Sequence, residues 1–417
     1  MAKIRFGIIG VGTRGIRTFG RHLRGTYADR AELVALADLD AHRLGVAAKM
    51  LAVDKTYGSH SQLIYDAGVD AIVITTPDYT HTAIALEAMD AGKDIICEKP
   101  VATTIEDANR LLEAGRRFGK SFQVGFVLRY APFFKGMHDA IVDGRIGKPL
   151  FAAAVDNRAG SGYFRSWHRL RKYSGGLLNH KSGHTLDVLN WMLDGIPTAV
   201  SATGGVAQYG PRDWAGDYCS SCAAAAVCPE YIDFTQGLMG ELFHGAEIRG
   251  DSKTDVCVYN SDKDTVDHAS LNVEYEDGQR ASYGLCLFAP YNQREIGVTG
   301  TEGKVEGREG EDRVRLTRRA PDRVRFAGGY RGQPGSEEYL PVNQPGGEGV
   351  AGGHGGGDVG LLDDSFAAFE GGRDPVAGLE AGYWSAVLGI AAEESVARGG
   401  QRLTLAELGV AGLQTTI

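Results

Sequence analysis

At 417 residues the chain is long enough for two domains, and 43% hydrophobic with 23% charged residues is ordinary for a folded protein with a sizeable core. A formal net charge of −9 argues against nucleic acid or an anionic membrane as partner, since both reward basic patches. No apolar run approaches the roughly 20 residues of a membrane span, and the chain opens almost at once on a strand-like segment, so no signal peptide or twin-arginine leader is expected. A cytoplasmic location is expected.

The first domain is expected over residues 1–128. Short apolar runs predict strands at 4–9, 33–37, 71–75, 94–97 and 122–125, and helical periodicity fills gaps such as 82–91 and 105–117. Strand and helix alternating at this pitch predict a doubly wound parallel sheet, a Rossmann-type dinucleotide fold. Gly10-Val11-Gly12-Thr13-Arg14-Gly15 directly follows the first strand and opens a helical stretch. In this reading Gly10 permits the tight turn, Gly12 lets the backbone approach a pyrophosphate, and Gly15 allows close helix packing. Asp38 ends the second strand, 23 residues beyond Gly15, where a carboxylate accepts the ribose hydroxyls. It repels a 2′-phosphate, so NAD is preferred to NADP; Arg43 nearby softens that preference.

From residue 129 to 417 the pattern turns to extended segments at 149–156, 198–207 and 271–275. The last forms a hairpin with 281–285 across Asp277-Gly278. An α+β domain with a large, mostly antiparallel sheet is expected, giving an α/β protein overall. The stretch 175–187, GGLLNHKSGHTLD, reads as one helix with His180, His184 and Asp187 at i, i+4 and i+7 on one face. Leu186, Leu189 and Leu193 point the other way, towards a core. Two imidazoles and a carboxylate on one face make a proton-transfer surface.

Cys97, Cys257 and Cys286 read as inert core residues, whereas Cys219-x2-Cys222-x5-Cys228 is clustered. Three thiolates at that spacing hold a structural zinc with one outside ligand, or remain free or partly paired thiols; no second pair stands nearby. Tyr163, Trp167, Trp191 and Trp384 are candidates to stack on a sugar, or simply core. Glycines crowd residues 328–357, expected as a surface loop or lid in which His354 and Asp358 flank three glycines. A final helix is predicted at 380–397.

Further segments carry a family resemblance. Thr75-Thr76-Pro77-Asp78-Tyr79-Thr80-His81, Glu98-Lys99-Pro100, Val124-Gly125-Phe126 with Arg129-Tyr130, Ile146-Gly147-Lys148-Pro149, the His184/Asp187 helix and Thr299-Gly300-Thr301-Glu302-Gly303 join the glycine motif. Together they resemble the Gfo/Idh/MocA oxidoreductases, along essentially the whole chain. The resemblance implies NAD(P) at the carboxyl ends of the first-domain strands, with a sugar or polyol between it and the open face of the second sheet. The expected cofactor set is Gly10, Gly12, Thr13, Arg14, Gly15, Asp38, Thr76, Pro77, His81, Glu98 and Lys99. Arg129, Tyr130, Lys181, Asp187 and His354 are expected around the substrate.

The resemblance also places Lys99 beside the nicotinamide, often with a cis bond to the following proline, and assigns His184 to the reacting hydroxyl. The family's aspartate four residues earlier is replaced here by His180, with Lys181 beside it. Losing that carboxylate pushes Lys99 towards neutrality if the groups converge. Lys99, His184 and His180 all stand as candidate bases, His180 equally as a satisfied helix histidine. Lys181 reads as a substrate or carboxylate partner, or as a solvated lysine. The function expected is NAD(P)-dependent hydride transfer from a sugar, polyol or glycoside hydroxyl. A redox-neutral, NAD-dependent glycoside hydrolase or lyase is the alternative, and a non-catalytic cofactor-binding sensor the third reading. Homodimers or homotetramers are implied.

Overall fold

The computed structural model describes residues 2–244, 253–319, 334–342 and 354–411. Strands β1 (Ile4–Ile9), β2 (Ala31–Ala37), β3 (Thr56–Tyr57), β4 (Ala71–Ile74), β5 (Asp94–Cys97) and β6 (Phe122–Val124) form a parallel sheet in the order β3-β2-β1-β4-β5-β6. β4 and β5 are continuous apolar runs because helices cover both faces; Ile72, Val73, Ile74, Ile95 and Ile96 are fully buried. The order reverses between β1 and β4, which opens a crevice at their carboxyl ends. Side chains set the helix starts around it. Asp40 caps helix Ala41–Leu51 by accepting from the Arg43 N–H at 2.8 Å, and Thr104 caps helix Ile105–Gly115 by accepting from the Asp107 N–H at 3.1 Å.

The second sheet contains β7 (Pro149–Ala159), β8 (Pro197–Gly205), β9 (His268–Tyr275), β10 (Arg280–Cys286), β11 (Phe288–Gly300), β12 (Gly303–Arg308), β13 (Arg313–Arg319), β14 (Pro334–Pro341) and β15 (Leu403–Thr404). Their order is β14-β13-β12-β11-β7-β10-β9-β8-β15, antiparallel except between β7 and β10. The β9–β10 hairpin turns through Gly278 at φ +85°, a conformation that suits glycine. Helices Gly183–Leu193 and Leu379–Ala397 pack together on one face. On β7, Phe151, Ala153 and Val155 alternate outward from the buried Ala152, Ala154 and Asp156, leaving the other face open.

Two expectations are corrected, and one helix is added. The stretch 175–187 is not one helix: it divides into Leu177–His180 and Gly183–Leu193, with a turn at Lys181 and Ser182. Tertiary caps start the first piece. The Leu177 N–H donates to Thr265 Oγ1 and the Leu178 N–H to Glu393 Oε1, while Gly175 and Gly176 take φ of +68° and +90°. A Cβ on Gly176 would meet the Glu393 carboxyl at 2.1 Å, so glycine is required there. Part of the expected loop at 328–357 is strand, since β14 pairs with β13; residues 328–333 and 343–353 lie outside the described residues. Helix Gly357–Gly371 was not foreseen. Its Phe366 stacks on Tyr27 and meets the Phe6 edge, docking it on the first sheet's domain.

Candidate active site

The glycine turn after β1 has the shape its sequence demands. Gly10 sits at φ +89°, where a Cβ would come within 2.8 Å of the Thr75–Thr76 backbone. A Cβ on Gly15 would lie 2.5 Å from the Gly10 carbonyl oxygen, so this helix start is packed against the turn. A Cβ on Gly12 would meet nothing within 4 Å. That open side, at the start of a helix, fits a pyrophosphate approaching backbone N–H groups. Thr13 borders the turn, its hydroxyl contacting Met239 Sδ at 3.4 Å. Asp38 accepts from the Val11 N–H at 3.0 Å and the Asp40 N–H at 2.9 Å, and Arg43 grips both its oxygens, the nearer at 2.7 Å. These residues fit the adenosine half of a dinucleotide. The Arg43 guanidinium beside Asp38 also neutralises much of the charge expected to exclude a 2′-phosphate.

A cleft of about 440 Å³ opens beside this turn. Loops from both sheets wall it. From the first come Arg14, Thr75, Thr76, Asp78, His81, Glu98 and Lys99; from the second, Arg158, Tyr163, Trp167, His168, His180, Lys181, His184, Arg294 and Glu309. Arg14 pairs with Glu98 at 2.5 Å and Asp358 at 2.7 Å, fixing the rim. A Cβ on Gly125 would sit 2.6 Å from Glu98 Oε2, which explains the glycine after β6. Pro77 leads into the short turn Asp78–Thr80, where the Thr80 hydroxyl donates to the Thr76 hydroxyl at 2.6 Å. His81 bridges two loops, its ring nitrogens 2.8 Å from the Thr76 and Pro100 carbonyl oxygens. It holds the two loops together on the cleft wall. The Lys99–Pro100 bond is cis.

Lys99 donates from Nζ to the His180 carbonyl at 2.7 Å, tying the Glu-Lys-Pro loop to the broken helix. Burial lowers its pKa, with Arg14 assisting and Asp78 and Glu98 opposing. His180 Nδ1 meets Asp78 Oδ2 at 2.6 Å. Burial raises the Asp78 carboxyl to about 7, against the pull of His81 and Lys99. Burial, Lys99 and Lys181 hold His180 well below its ordinary value. Burial thus disfavours charge on both partners of this pair. His168 faces His180 at a ring-centroid distance of 4.8 Å and stacks on Trp167 at 3.9 Å; burial and the His180 and Lys99 charges depress its pKa too. Tyr163 and Trp167 also present their rings edge-on to His180. His184 lies on the cleft wall with its ring against Phe126.

The floor is a charged network on β7 and β11. Asp156 and Arg294 are cross-strand partners, and Arg294 bonds Asp156 at 3.0 Å and Glu309 at 3.1 Å. Arg158 bonds the same two carboxylates at 2.5 and 2.6 Å, and Lys181 reaches Asp156 at 2.6 Å. Arg294, Lys181 and Arg158 together hold Asp156 ionised despite its burial. Burial lowers Lys181 to about 8, opposed by Asp156. Lys181 is thus a carboxylate partner that also faces the cleft.

Sequence reasoning missed Asp78, Arg158, His168, Arg294 and Glu309. Asp156 and Arg158 carried a signal, as charged residues two apart at the end of a strand that is apolar from Pro149 to Val155 share one face.

Other expected residues lie elsewhere. Asp187 is fully buried and grips Arg129 at 2.7 Å, and neither lines the cleft; the helix break separates His180 from the helix that carries both His184 and Asp187. The Tyr130 hydroxyl donates to Asp364 at 2.7 Å and accepts from Gln123 and the Ala377 N–H, also off the cleft. Trp191 stacks on His138 and Trp384 packs on Tyr383. His354 begins the turn His354–Gly356, but its side chain lies outside the described residues. Cys219, Cys222 and Cys228 are free thiols, and among the described residues no group of three or more His, Cys, Asp and Glu side chains is arranged to hold a metal ion, so the structure does not support zinc there. No described helix is long and apolar enough to cross a membrane.

Comparison with known proteins places this architecture. Residues 4–126 match the "Oxidoreductase family, NAD-binding Rossmann fold" model of Gfo/Idh/MocA, and residues 138–405 match that family's C-terminal alpha/beta domain. The chain is 30% identical to the putative oxidoreductase YteT of Bacillus subtilis, over 93% of this chain and 95% of that one. It is 35% identical to inositol 2-dehydrogenase 3 of Saccharopolyspora erythraea, over 46% of this chain and 54% of the relative. The fold is shared with levoglucosan dehydrogenase in complex with NADH and levoglucosan, at a TM-score of 0.72 and 18% identity, covering 97% of this chain and all of the other. The protein is a member of the Gfo/Idh/MocA oxidoreductases, with an NAD-binding Rossmann domain and the family's C-terminal domain.

Proposed function

We propose that the protein is an NAD-dependent dehydrogenase acting on a secondary hydroxyl of a sugar or polyol. One observation carries this reading: Lys99, His180 and His184, from two distant parts of the chain, face one cleft beside the glycine turn. Bound NAD would accept the hydride from the carbinol carbon. Gly10, Gly12 and Gly15 shape its phosphate turn, Asp38 meets the ribose, and Arg14, Thr76 and Glu98 border the path towards Lys99. Lys99, whose ammonium form is disfavoured by burial, takes the hydroxyl proton. Its tie to the His180 carbonyl holds Nζ in place, and the Asp78–His180 pair relays charge behind it. His184 hydrogen-bonds the reacting oxygen, while Tyr163 and Trp167 line the wall where a sugar face stacks.

The names of the inositol and levoglucosan dehydrogenases support the substrate class. Sugars and polyols assayed with NAD, following reduced nicotinamide, test the proposal. Stoichiometric NADH is expected; turnover without net NADH would instead identify a redox-neutral glycosidase, and binding without turnover a sensor.

A further inference from the structure

The fourth thiol near the clustered cysteines is Cys257, which the sequence presents as an isolated core residue. Cys219, Cys222, Cys228 and Cys257 wall one small cavity together with Trp214 and Tyr218. Two chain segments are paired to bring them there. The Cys219 N–H donates to the Asp255 carbonyl and the Cys257 N–H to the Asp217 carbonyl, both at 2.8 Å, around the Tyr218–Val256 bridge. We propose that these four thiols ligate a [4Fe–4S] cluster.

The arrangement favours a cluster over a single ion. Zinc draws four sulfurs to about 2.3 Å from one point, and no described group of residues has that arrangement. In a cubane each thiolate binds its own iron, so the four sulfurs stand apart around a core. Two donors already point at sulfur. Arg165 Nη1 reaches Cys219 Sγ at 3.0 Å, and the Gly216 N–H reaches Cys222 Sγ at 3.4 Å. Such bonds stabilise thiolate charge and tune clusters. Arg165 is almost fully buried and lies in the chain between Tyr163 and Trp167, which line the cleft. Cys228 is followed by Pro229, as a ligand cysteine is in bacterial cluster loops.

The test is anaerobic purification of the full chain, followed by reconstitution with ferrous iron and sulfide. Iron, zinc and acid-labile sulfide are then assayed, and the visible spectrum is recorded before and after dithionite. About four irons and four sulfides per chain, with a broad visible band that dithionite bleaches, are expected. Cys222→Ser and Cys257→Ser should lose most of the iron, and Cys286→Ser should keep it. Because Cys257 is buried, its serine variant can fail through misfolding. Cys222→Ser, with NAD affinity as the check on folding, therefore decides. One zinc per chain, a disulfide among the four, or four titratable thiols that take up no iron would each overturn the proposal.

Discussion

Alanine at Gly12 and at Gly15 should produce opposite failures. At Gly15 the new Cβ would stand 2.5 Å from the Gly10 carbonyl oxygen and 2.8 Å from Thr75 Oγ1. Neither atom is the end of a flexible side chain, so the helix start must shift, and overpacking of this kind costs about 1–3 kcal/mol. At Gly12 the Cβ meets nothing within 4 Å, and the residue does not need positive φ. Gly12→Ala should therefore leave stability within about 1 kcal/mol, or raise it slightly by restricting the unfolded chain. Its methyl group instead occupies the side from which a pyrophosphate approaches, weakening NAD at least about tenfold, or about 1.4 kcal/mol. Urea unfolding and calorimetric NAD titration separate the two effects. NAD binding at parental affinity by Gly12→Ala would refute the placement of the cofactor along this turn.

Three further outcomes are expected. Asp38→Ala removes the ribose acceptor and frees Arg43, so NAD should weaken while NADP holds, shifting preference about tenfold; equal loss for both in parallel titrations would remove Asp38 from the ribose. Asp78→Asn should lower kcat/KM by about 10- to 100-fold and abolish a limb of the pH–rate profile near 7, where burial places the Asp78 carboxyl; an unchanged profile would exclude the Asp78–His180 relay. Burial also raises the Glu393 carboxyl from 4.5 to about 7, so its protonated form favours the folded state. That contribution is full below pH about 4.5 and fades as pH rises through 7. The stability of wild type relative to Glu393→Gln should then fall by about 2 kcal/mol from pH 5.5 to 8 by urea unfolding; a flat difference contradicts that burial.

The sequence announces the first sheet clearly because its central strands are short, dominantly apolar runs between helical patterns, as at Ile72–Ile74 and Ile95–Cys97. The second sheet is harder to read. β11 to β14 mix exposed and buried residues on an open face, and Arg294 and Glu309 look like surface charges until the Asp156 pairing is seen. The start of the first piece, at Leu177, was invisible for a related reason. Its caps, Thr265 and Glu393, are 88 and 215 residues away from the N–H groups they satisfy, and local periodicity carries no trace of them. Asp78 stood within a quoted motif, but its role depends on His180 approaching across 102 residues of chain.

The most direct test is to follow one turnover by Lys99→Ala beside the parent, with NAD affinity measured in the same preparations. Hydride transfer assisted by Lys99 predicts equal affinity and NADH formation slowed by at least about 100-fold, with exogenous small amines restoring part of the rate. NADH forming at the parental rate in the variant would contradict the account.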